Sequence, residues 1–111
     1  MPVSGWAQNA DARVRYHAQC FLLFASLAEN EDAGVKASGL MGSLFFAGQI
    51  FGADPSVDLE RLLKVEALAM NDVRSQQILP QCGQEMQGRG AQITAAGKAL
   101  EQLDMSAPKR R

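Results

Sequence analysis

Residues 35–56 read VKASGLMGSLFFAGQIFGADPS, and this stretch decides the fold. Leu40 to Phe51 is a twelve-residue apolar run interrupted by Gln49, with none of the alternation that marks a half-buried strand. Apolar groups fall on every side of the helix it forms. That predicts the most buried element of the chain, with one face open to a partner. Twelve residues fall well short of the roughly 20 needed to span a bilayer, so no transmembrane anchor is expected. Gly39, Ser43 and Ala47 recur every four residues and form a ridge of small side chains, with Gly42 and Gly48 beside it. Each interior glycine weakens a helix by up to about 1 kcal/mol relative to alanine, and close packing on another helix offsets that cost. The ridge is read first as tight packing within the chain and second as a homodimer seam through Gly39, Ser43 and Ala47.

Gly52-Ala53-Asp54-Pro55-Ser56 ends this helix and starts the next, with Asp54 or Ser56 as cap. The third helix carries Leu59, Leu62, Leu63, Ala67, Met70 and Val73 inward and leaves Glu60, Arg61, Lys64 and Arg74 in water. Ile78-Leu79-Pro80 breaks it. A fourth helix then runs to about Leu103, with Met86, Ile93 and Leu100 at intervals of seven and Gly90 and Gly97 one turn from each. Upstream, Asn9 caps a first helix reaching about Ala28. Its apolar face is Val14, Ala18, Phe21, Ala25 and Ala28, flanked by Leu22 and Phe24, with Arg13, Arg15 and Gln19 on the opposite side. Asn30-Glu31-Asp32 supplies the next break and cap.

The rest of the 111 residues agrees with an all-α chain. Val, Ile and Thr together number ten, against 17 Ala and 12 Leu, so strand formers are scarce and helix formers abundant. The expected architecture is a single four-helix up-down bundle over residues 9–104, its short loops making neighbouring helices antiparallel. Residues 1–8 are read as a signal remnant or tail, and residues 105–111 as a frayed basic tail. A net charge of −1 gives no footprint for nucleic acid or an acidic membrane surface.

Two cysteines 62 residues apart, with no Cys-x-x-Cys, suit one disulfide in an exported protein. Cys20 lies midway along the first helix and Cys82 in the first turn of the fourth, neighbours in an up-down bundle. A Cys20–Cys82 bridge is the natural reading; the alternative is a reactive Cys82 thiol at a helix N-terminus. Gly5 and Ala7 stand at −3 and −1 of a cleavage site before Gln8, as at the end of a secretory signal. A periplasmic or secreted location follows from these two features together.

Catalytic sets are missing from the sequence. His17 is the single histidine, with no second His to complete a zinc site, and with no Gly-x-Ser-x-Gly the sequence offers nothing from which to assemble a nucleophile–base–acid set; Glu-x-x-His and phosphate-loop patterns are absent too. No cofactor and no metal are expected. His17 is read as an ordinary surface or half-buried residue. The glutamines of the last helix (Gln84, Gln87, Gln92, Gln102) are read as a solvated face.

Cys20-Phe21-Leu22, the run Leu44-Phe45-Phe46-Ala47-Gly48-Gln49-Ile50-Phe51-Gly52 and Cys82 together resemble small exported helical proteins of proteobacteria with one disulfide. Among named groups the chain is similar to acid-stress periplasmic chaperones of the HdeA type and to the amidase-immunity proteins of type VI secretion. The bridge, the missing catalytic set and the very apolar second helix point to a non-enzymatic periplasmic protein that acts by contact with a protein partner, chaperone-like or inhibitor-like. Met41, Phe45, Phe46, Phe51 and Met70 are the candidate partner or ligand face. Carriage of a small apolar ligand between helices is the second reading, and thiol redox chemistry at Cys20 and Cys82 the third.

Overall fold

The structure, a computed structural model, describes the backbone of residues 5–103 and the side chains of residues 11–103. Residues 1–4 and 104–111, which hold the start of the expected N-terminal tail and the whole basic tail, lie outside the described residues. Four helices follow in order: α1 (Gly5–Leu27), α2 (Ala33–Ala53), α3 (Leu59–Ala69) and α4 (Asp72–Glu101). The chain is an all-α, four-helix protein stapled by Cys20–Cys82, whose Cα atoms are 5.7 Å apart.

Short polar side chains set three of the helix starts. Asp32, Asp58 and Asn71 each accept, through Oδ1, the backbone N–H three residues on, at 3.0, 3.1 and 2.8 Å. Each thereby satisfies one of the orphan donors of a first turn. Asp32 is the expected cap of α2. The cap of α3 is Asp58 rather than Asp54 or Ser56, because Asp54 instead ends α2 and accepts from Ser56 through both its N–H and its hydroxyl.

Two boundaries differ from the sequence reading. α1 begins at Gly5, so Asn9 lies inside the helix instead of capping it. The break between α3 and α4 falls at Met70-Asn71, and Pro80 sits inside α4. A proline removes one helical hydrogen bond, but Gln76, whose carbonyl loses its partner, and Pro80 itself are both on the solvent side, where water replaces that bond. Cys82 is therefore in the third turn of α4, not its first.

α1, not α2, is the enclosed helix. α2 runs antiparallel to it, with Gly39 against Phe24 to Ala28 and Ile50 against Val14 and Ala18, α3 lies against it at Arg15 and Gln19, and α4 crosses it at the disulfide. The small-residue ridge explains how near α2 comes. A Cβ on Gly39 would lie 2.6 Å from the Phe24 carbonyl oxygen and 2.7 Å from the Leu27 carbonyl carbon, and one on Gly42 would run into the buried Phe24 ring. Close packing within one chain thus uses the Gly39–Ser43 part of the ridge, and a second copy has no access to Gly39 and Ser43 as a seam.

Two buried groups form the core. Cys20, Phe24, Phe46, Ile78 and Cys82 surround the disulfide, joined by half-buried Tyr16, Phe45, Met70 and Met86. Val14, Ala18 and Ile50 form the second, under Val57, Leu59, Leu62 and Leu63 of α3 and its approach. Aromatic rings knit the first group, Phe46 packing edge-on against Phe45 at 4.8 Å and tilted against Phe24 at 5.8 Å. Val73, expected inward, is exposed because the early break at Asn71 rotates it out of register.

The molecule is flat and open. Its extents are 54 × 47 × 22 Å, the shortest being two helix diameters. The radius of gyration is 17.4 Å, against about 13 Å for a compact chain of this length. The excess comes from α4: at 30 residues it is about 45 Å long. Past Arg89 almost all of its residues are solvent-exposed.

Candidate functional site

Two features stand out from this frame, a polar cleft and an uncovered apolar face. Below the disulfide, α1 and α4 splay apart and enclose an open cleft of about 1070 Å³ lined by Arg13, Tyr16, His17, Gln84, Glu85 and Arg89 among others. His17 lies at its floor, only 2% exposed, with Nε2 2.8 Å from Glu85 Oε2 and its ring against Tyr16 and Phe46. Expected at the surface or half-buried, it is instead fully covered. The Glu85 carboxylate accepts a hydrogen bond from Nε2–H, and Nδ1 is buried without a hydrogen-bond partner. Burial raises the Tyr16 phenol above its ordinary value, the Glu85 carboxylate adds to that rise, and Arg74 opposes it.

This pairing orders α1 against α4. Both sulfurs are locked in the bridge and fully buried. Among the described residues no three His, Cys, Asp or Glu side chains group as metal ligands would.

A second polar network pins α3. Glu66, 2% exposed, accepts from Gln19 Nε2 at 2.8 Å and from Arg15 Nε at 3.0 Å, while Gln19 Oε1 accepts from Arg74 Nε at 2.9 Å. Gln19 therefore belongs to the interior, not to the wet side where the α1 pattern placed it, and Arg74 is drawn down to meet it. The wide burial of α1 is the reason, since α3 covers the side opposite α2. The inward stripe read from the sequence passed over Glu66, although it shares the helical spacing of Leu59, Leu62 and Leu63.

The apolar face lies on α2. Met41 is 68% exposed and Leu44 73%, with Leu40 and Phe51 also open and Ala37 and Gly48 completing a stripe along the helix. Lys36 is the one charged residue within α2. Of the five residues expected to form a partner or ligand face, Met41 and Phe51 point outward here. Phe46 is fully buried, and Phe45 and Met70 pack half-buried beside it around the disulfide. The five are thus divided between an outer face and the core, and only the first pair is available to another molecule.

These features define a class: a disulfide-stapled, all-α protein with an apolar stripe exposed along α2. Comparison with protein-family models, with curated proteins and with solved structures found no match to this chain. No helix among the described residues is long and apolar enough to cross a membrane.

Proposed function

We propose that this chain is an extracytoplasmic protein, non-enzymatic, that acts by protein–protein contact through the outer face of α2, in the manner of a chaperone-like or inhibitor-like partner. The observation that carries the reading is the exposed stripe Leu40, Met41, Leu44 and Phe51. Chains that work alone rarely leave a contiguous apolar patch of this kind in water, and such patches mark interaction surfaces. The covalent staple supports the location, because disulfides persist in oxidising compartments. Its complete burial supports a structural role over thiol exchange, which requires an attacking thiolate to reach a sulfur. Carriage of an apolar ligand finds less support, since Phe45, Phe46 and Met70 pack on one another and on the disulfide.

A photoreactive amino acid placed at Leu44 tests the reading in the cells that make the protein, with the same residue at exposed Gln77, off the stripe, as control. Contact through α2 predicts a covalent protein adduct from position 44 and none from position 77. No adduct from position 44 overturns it.

A further inference from the structure

We infer that the occupant of the α2 face is a second copy of this chain, which lays the projecting end of its α4 along the stripe while its own α2 receives the other α4 in return. This rests on the reading of α2 as a contact surface and adds the identity of the partner. The two surfaces match in length, pattern, charge and area.

On α2 the exposed positions Ala37, Met41, Leu44, Gly48 and Phe51 are spaced four, three, four and three. On α4 the positions Met86, Gly90, Ile93, Gly97 and Leu100 have the same spacing, starting at the half-buried Met86 and continuing into exposed Ile93 and Leu100. Both stripes span four turns, about 21 Å, and this alternation is the seam of one helix packed lengthwise on another. Gly90 and Gly97 open hollows on α4, and a Cβ at either meets nothing within 4 Å in this chain. Met41, whose side chain stands free on α2, comes opposite Gly97 when Leu44 faces Ile93, while Gly48 comes opposite Gly90. Laid antiparallel, with Leu44 facing Ile93, the stripes place Phe51 by Met86 and Ala37 by Leu100. Lys36, the one charge on α2, then falls beside Glu101 at the end of α4.

The area suffices for a stable pair. Leu40, Met41, Leu44 and Phe51 on one side and Ile93, Leu100 and Leu103 on the other are 42–73% exposed. With about 100 Å² of apolar surface on a fully exposed aliphatic side chain, these seven hold about 400 Å², or about 800 Å² when a two-fold axis repeats the contact. Apolar atoms make up about 65% of a homodimer interface, so the whole reaches about 1,200 Å², the lower end of specific interfaces. Reciprocal exchange closes the assembly at two copies.

Light scattering after size exclusion, run on the wild-type chain, Leu44→Lys, Ile93→Glu and an equimolar mixture of the two variants, decides the matter. Both positions are exposed, so circular dichroism of each variant matches the wild type. Expected are a mass of twice 12.0 kDa for the wild type and, for each variant alone, a self-association weakened by at least about tenfold. The mixture returns to the dimer, because its two contacts are one wild-type pair and one Lys–Glu pair. A monomeric wild type, a ladder of larger species, or variants that fail to complement each overturn the exchange. The photo-adduct at Leu44 separates the two readings. An adduct of a mass other than two chains removes the second copy and keeps the contact surface, whereas no adduct removes both.

Discussion

Changing one glycine to alanine at two places should move stability in opposite directions. At Gly39 the new methyl would lie 2.6 Å from the Phe24 carbonyl oxygen and against the backbone of Leu27 and Ala28, so α1 and α2 must separate to admit it. Overpacking of this kind costs about 1–3 kcal/mol, and backbone, unlike the end of a long side chain, cannot step aside. The helix-propensity gain of up to about 1 kcal/mol offsets part of this, leaving Gly39→Ala about 1–2 kcal/mol less stable. At Gly88, in α4, the same methyl meets nothing within 4 Å, and only the propensity gain remains. Gly88→Ala should be more stable by about 0.5–1 kcal/mol, which puts the two variants about 1.5–3 kcal/mol apart. Urea unfolding followed by circular dichroism, with the disulfide intact, measures both midpoints. A Gly39→Ala chain as stable as the wild type would refute the close approach of α2 to α1.

Replacing both cysteines by alanine removes a link across 62 residues and should lower the unfolding free energy by about 4 kcal/mol on the chain-entropy account; a loss under about 1 kcal/mol in urea unfolding would contradict that. Glu66→Ala strands the buried Gln19 amide and should cost about 1–3 kcal/mol, while Glu66→Gln keeps an acceptor and costs less. Since the Arg15 side chain is 60% exposed, its ion pair adds little to that figure. The Tyr16 phenol is raised above its ordinary 10.0 in the fold, so the unfolded chain releases that proton first. The stability it contributes is complete below pH 10 and is lost as pH rises beyond it, and Tyr16→Phe should flatten the fall in urea midpoint between pH 9 and pH 11. An unchanged slope would remove the phenol as its source.

The helical class and the staple were legible because both depend on features local in sequence: the shortage of strand formers, the glycine ridge and the placing of Cys20 and Cys82 on adjacent helices. Asp32 could be read as a cap for the same reason. The α3–α4 break was harder. Pro80 is the stronger local signal, yet Asn71 with Asp72 in the first turn starts the helix eight residues sooner, and solvent absorbs the bond that Pro80 loses. Assigning α2 as the most buried helix failed on topology, since hydropathy alone does not say that three helices share α1. The same sharing hid Gln19, which looks solvent-facing when only α2 covers α1. His17 and Glu85 are 68 residues apart and meet only because the bridge sets the crossing of α1 and α4. The candidate face was half legible: Met41 and Phe51 face outward, while Phe45 and Phe46, one position apart from each other in the same run, turn toward the disulfide.

Carbene footprinting of the α2 stripe tests the central claim most directly, comparing the chain in its native cells with the purified chain at high dilution. Leu68, 89% exposed and on α3, serves as internal standard. If the stripe is a contact surface, Met41, Leu44 and Phe51 take up little label in the cell and several-fold more after dilution, while Leu68 is labelled alike in both. Equal labelling of the stripe in the two states would mean that nothing covers it, and the account would be contradicted.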